Sequence, residues 1–321
     1  MIYLIIYFII ILIAFYFLIK SSDYLVSSSS ILGERVGISK FVIGLTLVAI
    51  GTSLPELFTA LFAIFDSSNP GAFVFGTVIG SNIANILLVF GILLFFSKNF
   101  KVKIKLFDLL FLLVSTFSLI FLIYFKELNI FFSISYITLF ILYLFSSVKF
   151  GSKKKFNEEV KEIEEEVDEI LKNAKSSTLI FIFILSLVGL NIGAKGVIYG
   201  IEKIGNLLSI PLIYLTFTTV AFATSLPEIM VSVASAKKKE FDIAVGNIIG
   251  SNISNILLIL GVVSFFKTIP FIFKDYIFSF SILFITTLFF AFLLIKEKIS
   301  KKYSYLLIGS YIIYIIFLIF L

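Results

Sequence analysis

The amino-acid sequence predicts an all-α polytopic membrane protein of ten transmembrane helices, arranged as two inverted five-helix repeats. Three observations carry that expectation. The 321 residues are 60% hydrophobic and only 14% charged, more apolar surface than a soluble domain can hide. Apolar runs long enough to cross a bilayer recur along the whole chain. Two unusual polar motifs inside those runs each appear twice.

With about 20 apolar residues needed per crossing, the runs divide into ten cores. They lie at 2–19, 41–65, 73–96, 106–125 and 130–145, then at 179–201, 212–234, 243–266, 276–295 and 303–321. The first has no Lys or Arg before it, unlike a signal peptide, and reads as a retained span running on toward residue 32. Loop charge sets the expected orientation. With the N-terminus outside, all but Lys126, Lys195, Lys203, Lys267 and Lys274 of the 26 basic residues fall on the inward side. The positive-inside rule then places both termini outside and the multi-pass chain in the cell membrane. The formal charge of +6 therefore bears on the lipid bilayer, and no nucleic-acid partner is expected.

One long polar segment interrupts the spans, "KFGSKKKFNEEVKEIEEEVDEILKNAKSS" at 149–177. Val160, Ile163, Val167 and Ile170 make a narrow apolar stripe at helical spacing, with acids elsewhere. It reads as a short charged cytoplasmic linker between a first half, 1–148, and a second, 178–321. The alternating acids and central glycine of an EF-hand loop are missing.

The motifs explain the division. "GTSLPE" at Gly51–Glu56 returns as "ATSLPE" at Ala223–Glu228, and "GTVIGSNIANILLVFG" at Gly76–Gly91 returns as "GNIIGSNISNILLILG" at Gly246–Gly261. Five spans separate corresponding points, and an odd number turns the second copy upside down in the membrane. Inverted repeats with interrupted helices near the midplane are a transporter signature.

The chemistry follows from the residue types. Pro55 and Pro227 have no N–H, so the carbonyls of Gly51 and Ala223 lose their helical partners. Such carbonyls are costly in lipid unless they line a cavity or coordinate something. Thr52 and Glu56 share a helix face with Ser53 beside them, so each motif groups backbone, hydroxyl and carboxylate oxygens. Calcium takes about 6–8 such ligands. Thr77, Ser81 and Asn85 form a stripe of neutral oxygens, as do Asn247, Ser251 and Asn255. Beside it run Gly76, Gly80 and Ala84, and Gly246, Gly250 and Ser254, small residues that let helices approach. A membrane serine can instead bond its own i−4 carbonyl; symmetric recurrence beside a glutamate favours the site for Ser81 and Ser251. Glu56 and Glu228 are the only acids deep within expected spans, where charge is functional by default. Asp108, Glu127, Asp242 and Asp275 are expected at the interfaces. With no Cys and no His, thiolate chemistry, haem ligation and His-based zinc sites are excluded.

Together the paired motifs resemble the two alpha-repeats of the cation/calcium exchanger superfamily, most closely the prokaryotic sodium/calcium exchangers. The similarity includes "SSDYLV" at Ser21–Val26. The resemblance implies ten spans with alpha-repeats at about 41–96 and 212–266, and discontinuous helices at the ion site. It implies a secondary antiporter, not an enzyme, working as a monomer without cofactors and moving Ca2+ and Na+ by alternating access. Glu56 and Glu228 would ligate calcium, and Thr52 and Thr224 would add backbone carbonyls. Ser53, Ser225, Ser81, Ser251 and the carbonyls of Ala49 and Ala221 would serve flanking sodium positions, with Asn85 and Asn255 lining the middle one. Two departures stand out. Ala223 replaces a usual glycine, and Asn255 replaces an aspartate found in some relatives, including potassium-dependent ones. The alternatives are a proton/calcium antiporter of the same superfamily, whose second motif usually holds an acid, and a passive cation channel.

Overall fold

The computed structural model describes residues 2–66, 70–97, 100, 102, 104–150, 171–208, 225–296 and 299–320. Nearly all of them are helical. Eight helices are long and apolar enough to cross a membrane: Tyr3–Val36, Lys40–Phe65, Pro70–Phe96, Leu106–Phe125, Ile130–Lys149, Ser176–Leu207, Phe241–Phe266 and Phe273–Ile295. A shorter apolar helix covers Lys302–Leu318. The expected core at 212–234 falls partly outside the described residues, which begin again before helix Leu226–Lys237. Residues 151–170 of the expected linker also lie outside them.

Helix Ile2–Val36 runs on past residue 32, the extension the sequence suggested, by four residues. Thirty-five residues rise roughly 50 Å at 1.5 Å each. It passes through Lys20 and the serine run because Ser22, Ser28 and Ser29 bond carbonyls three or four residues back, which hides their hydroxyls. Gly37 stops it. At φ +74 it is left-handed, and Ile38 N–H closes back onto the Gly33 carbonyl at 3.0 Å, a glycine-dependent helix stop. Ser39 then caps the next helix by accepting from Val42 N–H at 3.3 Å, a contribution of about 1 kcal/mol.

Ile2–Val36 packs along Ser176–Leu207 in the opposite direction. Gly189 meets Ser21, Gly193 meets Leu18, Gly196 meets Ala14 and Gly200 meets Ile11. These two helices share an apolar cluster with Ile43, Val48, Leu226 and Val231. A larger cluster, built around Phe75, Ile83, Phe90, Ile253, Leu260 and Phe290, fills the rest of the molecule.

Besides Leu106–Phe125, which is interrupted at Leu119, three described spans are not regular. Lys40–Ile43 passes through a π-helical turn, Gly44–Val48, into Ala49–Thr52, breaks at Ser53, and resumes as Leu54–Asp66. Pro70–Ala84 and Phe241–Ser254 each end in a π-helical turn, Asn85–Val89 and Asn255–Ile259. Both turns begin on the last asparagine of the repeated motif.

Contacts between halves exchange partners. Gly91 packs on Leu307 and Ile308, while Gly261 packs on Tyr136 and Ile137. Rim contacts join loops that the span count puts on a common face. On one rim Lys40 pairs with Glu240, which also accepts from Ser30 at 3.1 Å. Arg35 there donates to the Lys172 carbonyl and Ser176, and Lys301 sits 4.5 Å over the Phe95 ring. On the other rim, strand Glu127–Leu128 pairs antiparallel with Ile269–Pro270, and Lys267 donates to the Ile64 carbonyl at 2.8 Å. One acid expected at an interface lies at its span end but is covered by protein. Asp108 is buried, 3% exposed, and accepts from Tyr143, because its place in the first helical turn faces the Ile130–Phe150 helix rather than lipid.

Candidate functional site

The two TSLPE segments supply the acids. Ser53 and Ser225 have almost the same backbone, φ −84 and ψ 4 against φ −86 and ψ −1. Each starts a new helix with Pro at its second residue. Glu56 and Glu228 therefore sit in the first turn of their helices, where the positive end of the helix dipole favours a carboxylate. Both are 1% exposed. The carboxylate of Glu228 lies close enough to that of Glu56 to repel it, beside the side chain of Thr52.

The repeated GSN segments supply neutral oxygens. Ser81 donates to Glu56 Oε1 at 3.4 Å. Thr52 donates to Asn247 Oδ1 at 3.1 Å, and its hydroxyl lies 3.4 Å from that of Ser251. The Ala49 carbonyl accepts from Thr52 at 3.3 Å and from Ser53 N–H at 3.0 Å. Close helix approach makes this convergence possible. A side chain at Gly246 would strike Phe41, and one at Gly250 would strike Leu45 and Ala49, so these glycines bring the second polar stripe against the first motif. The partners of Gly76 and Gly80 expected by symmetry fall within 209–224, outside the described residues. Thr224 and Ala221 lie outside them as well.

Of the expected site residues, the structure brings Glu56, Glu228, Thr52, Ser81 and Ser251 together through these contacts. Ser53, Ser225, Asn85 and Asn255 are buried on the same segments. Sequence reasoning missed two residues at the centre. Asn82 donates to the Asn252 carbonyl at 3.2 Å, Asn85 donates to Asn252 Oδ1 at 3.1 Å, and Asn255 donates to Asn82 Oδ1 at 3.0 Å. The signal was present, since the asparagine of GSN recurs in both copies, but one sequence does not say that the copies face each other.

Several acceptors stay unused. Both carboxylate oxygens of Glu228, Ser53 Oγ, Asn85 Oδ1 and Asn255 Oδ1 are buried without a hydrogen-bond donor. Among the described residues no lysine or arginine is buried. Buried charges in this situation need mobile cations. With two acids and many uncharged oxygens, the donor set suits hard cations such as calcium and sodium as substrates.

Buried acids gathered with neutral oxygens inside a helical membrane protein are the chemistry of a cation-transport site. The chain belongs to the sodium/calcium exchanger family, whose description matches residues 6–149 and 178–320. It is 37% identical over 201 residues to an uncharacterized membrane protein of Methanocaldococcus jannaschii, covering 61% of each chain. With the sodium/calcium exchanger MaX1 of Methanosarcina acetivorans it shares 46% identity over 90 residues, 27% of this chain and 25% of that one. The alignments thus span less than two thirds of these curated relatives. Solved structures align more fully. The sodium-calcium exchanger NCX_Mj soaked with 2.5 mM Na+ and 10 mM Sr2+ matches with a TM-score of 0.81 at 33% identity, over 97% of this chain and 98% of that one. Its form soaked with zero Na+ and Ca2+ matches with a TM-score of 0.78 at 31% identity, over 99% of both.

Proposed function

We propose that this chain is a secondary antiporter that exchanges sodium for calcium across the cell membrane, by alternating access at the two-glutamate site. The observation that carries the reading is the Glu56–Glu228 pair, buried among neutral oxygens with no buried cationic side chain among the described residues. In this reading Glu56 and Glu228 ligate calcium and share their charge with sodium, and the carbonyls of Thr52 and Thr224 complete the calcium position. Ser53, Ser225, Ser81, Ser251 and the carbonyls of Ala49 and Ala221 serve flanking sodium positions. Asn85 and Asn255 line the middle.

The same proposal covers the architecture: ten spans, in halves 1–148 and 178–321, related by a pseudo-two-fold axis in the membrane plane. Supporting it are the opposed directions of Ile2–Val36 and Ser176–Leu207 and the exchanged contacts of Gly91 and Gly261. Both termini then face outside and the linker at 149–177 faces the cytoplasm, as loop charge requires. Isologous exchange of contacts within one chain also suits a monomer.

The test is calcium uptake into sealed vesicles holding the purified protein. Uptake should need an outward sodium gradient and stop when sodium is equal on both sides. Uptake that follows a proton gradient without sodium would replace the coupling ion, and uptake without any counter-gradient would make the protein a channel.

A further inference from the structure

The four central asparagines do two different jobs. Asn82, Asn85, Asn252 and Asn255 are each 1% exposed, so every amide must find its partners inside the protein or leave them for a ligand. Donors and acceptors can be followed individually. Asn82 Nδ2 donates to a backbone carbonyl, that of Asn252. A carbonyl only accepts, so this bond fixes which end of the Asn82 amide is nitrogen. Its Oδ1 is thereby turned to receive Asn255 Nδ2 at 3.0 Å. The bond from Asn85 Nδ2 to Asn252 Oδ1 at 3.1 Å is its counterpart, but without the same anchor, since Asn252 Nδ2 is buried with no acceptor.

The consequence appears on the far side of each amide. With their nitrogens held at the midline, Asn85 and Asn255 keep Oδ1 buried and without a donor. Asn85 follows Ser81 by one helical turn, and Ser81 touches Glu56. Asn255 follows Ser251 in the same way, and Ser251 lies against Thr52. Both free acceptors therefore lie on the faces that carry the site. An amide free to rotate would offer nitrogen about as readily as oxygen, and nitrogen repels a cation.

Resting on the reading of this site as a sodium and calcium site, we propose that Asn82 and Asn252 are positioning residues that act crosswise. Asn82, from the first motif, holds Asn255 of the second with its oxygen toward the ions, and Asn252 holds Asn85 in return. The ligand class is a monovalent hard cation at the neutral middle position. Each half of the molecule thereby sets the ligand geometry of the other. The calcium position, built on carboxylates and carbonyls, does not depend on this pair.

Asn82→Ala in the full-length protein, reconstituted in liposomes, separates these roles. Sodium-gradient-driven calcium uptake is measured against internal sodium, and calcium–calcium exchange is measured without sodium. Apparent sodium affinity should fall about five- to tenfold, the scale of one misdirected buried acceptor, while calcium–calcium exchange stays within about twofold of wild type. A double-mutant cycle adds the decisive readout. Asn82→Ala should have no further effect in an Asn255→Ala background, yet should add fully to Asn85→Ala. Asn252→Ala should show the reverse pairing. Asn82→Ser serves as the second variant, too short to hold Asn255 but still polar, and should reproduce the sodium defect. Unchanged sodium affinity, an equal loss of sodium and calcium affinity, or additivity with Asn255→Ala would overturn the assignment. So would failure of both Asn82 variants to fold, which would make the residue a strut. If wild type itself shows no sodium-driven uptake, the underlying reading of the site fails, and that result is distinct from any of these.

Discussion

Replacing Gly250 with alanine asks whether helix contact and ion chemistry are linked. A methyl group built on Gly250 lies 2.6 Å from Ala49 Cβ and 2.7 Å from the Leu45 carbonyl carbon, and it also collides with the Leu45 oxygen. Ordinary carbon contacts begin near roughly 3.5 Å, so the Phe241–Ser254 helix and the segment around Ala49 must separate by about 0.9 Å. Backbone stands on both sides of the contact, so no side chain can swing away to relieve it. Overpacking of this kind costs about 1–3 kcal/mol, which a large helical core absorbs without unfolding. The site is less tolerant. Ala49 carries the carbonyl that receives Thr52 and Ser53, and Thr52 in turn touches Asn247 and Ser251 on the displaced helix. A shift near 1 Å in a positioned group can cost about a hundredfold in rate. Sodium-driven uptake of radioactive calcium into proteoliposomes should therefore fall about a hundredfold, with the protein still monodisperse and its melting temperature lowered by only a few degrees. Gly309→Ala, where no described atom lies within 4 Å, is the control and should transport normally. Wild-type flux from well-folded Gly250→Ala would refute the link.

Three further outcomes follow from the same geometry. Glu56→Gln and Glu228→Gln should each nearly abolish calcium uptake, because a neutral amide removes one unit of charge and one strong oxygen from a low-dielectric site; normal uptake by either folded variant would remove that residue from the site. Acid should weaken the apparent calcium affinity, since protons and calcium compete for the same carboxylate oxygens and the chain has no histidine. Maximal rate should recover at high calcium, and an affinity that ignores mildly acidic pH would contradict the competition. Calcium uptake into sodium-loaded vesicles should proceed equally with potassium or choline outside, because Asn85 and Asn255 add no charge to hold an extra monovalent ion; strict potassium dependence would show a third charge at work.

Much of this was legible in the sequence, for physical reasons that differ by element. Long apolar runs fix spans because lipid tolerates little else. The proline at 55 announced the break at Ser53 because a missing N–H cannot be restored by packing, while the segment before Pro227 lies outside the described residues up to 224. The acids stood out because charge in a span is so costly. Other features depend on which surfaces meet, and one chain read in order does not contain that. Helix Ile2–Val36 runs past its apolar stretch because serines can satisfy themselves within a helix. Asp108 lies at a span end as expected, and that it accepts from Tyr143 is a matter of rotation that a span boundary does not reveal. Asn82 and Asn252 went unread in the sequence, because one chain does not show that the two motifs hydrogen-bond each other. The glycine stripe was legible as a demand for close approach, but its partner was not.

The pairing of two carboxylates with neutral oxygens bears on why such a site would exchange ions rather than leak them. When empty, Glu56 and Glu228 repel each other, and no lysine or arginine is buried among the described residues to offset them. Carrying that arrangement through a state closed to water on both sides is expensive, because buried like charges are neither solvated nor screened. One calcium ion, or two sodium ions, cancels both charges and lowers that cost. A single sodium ion leaves one carboxylate uncompensated and so should occlude poorly. On this view the acids decide which loaded states can cross, and the neutral oxygens decide which ions fit within those states. Asparagine suits the second task because its charge does not change with pH, so the middle position keeps its geometry while protons compete at the glutamates. The crosswise bonds of Asn82 and Asn252 add that neither half can present its neutral ligand correctly unless the other half is in place. Coupling two ion types through one site then requires both halves of the duplication to be closed around it together.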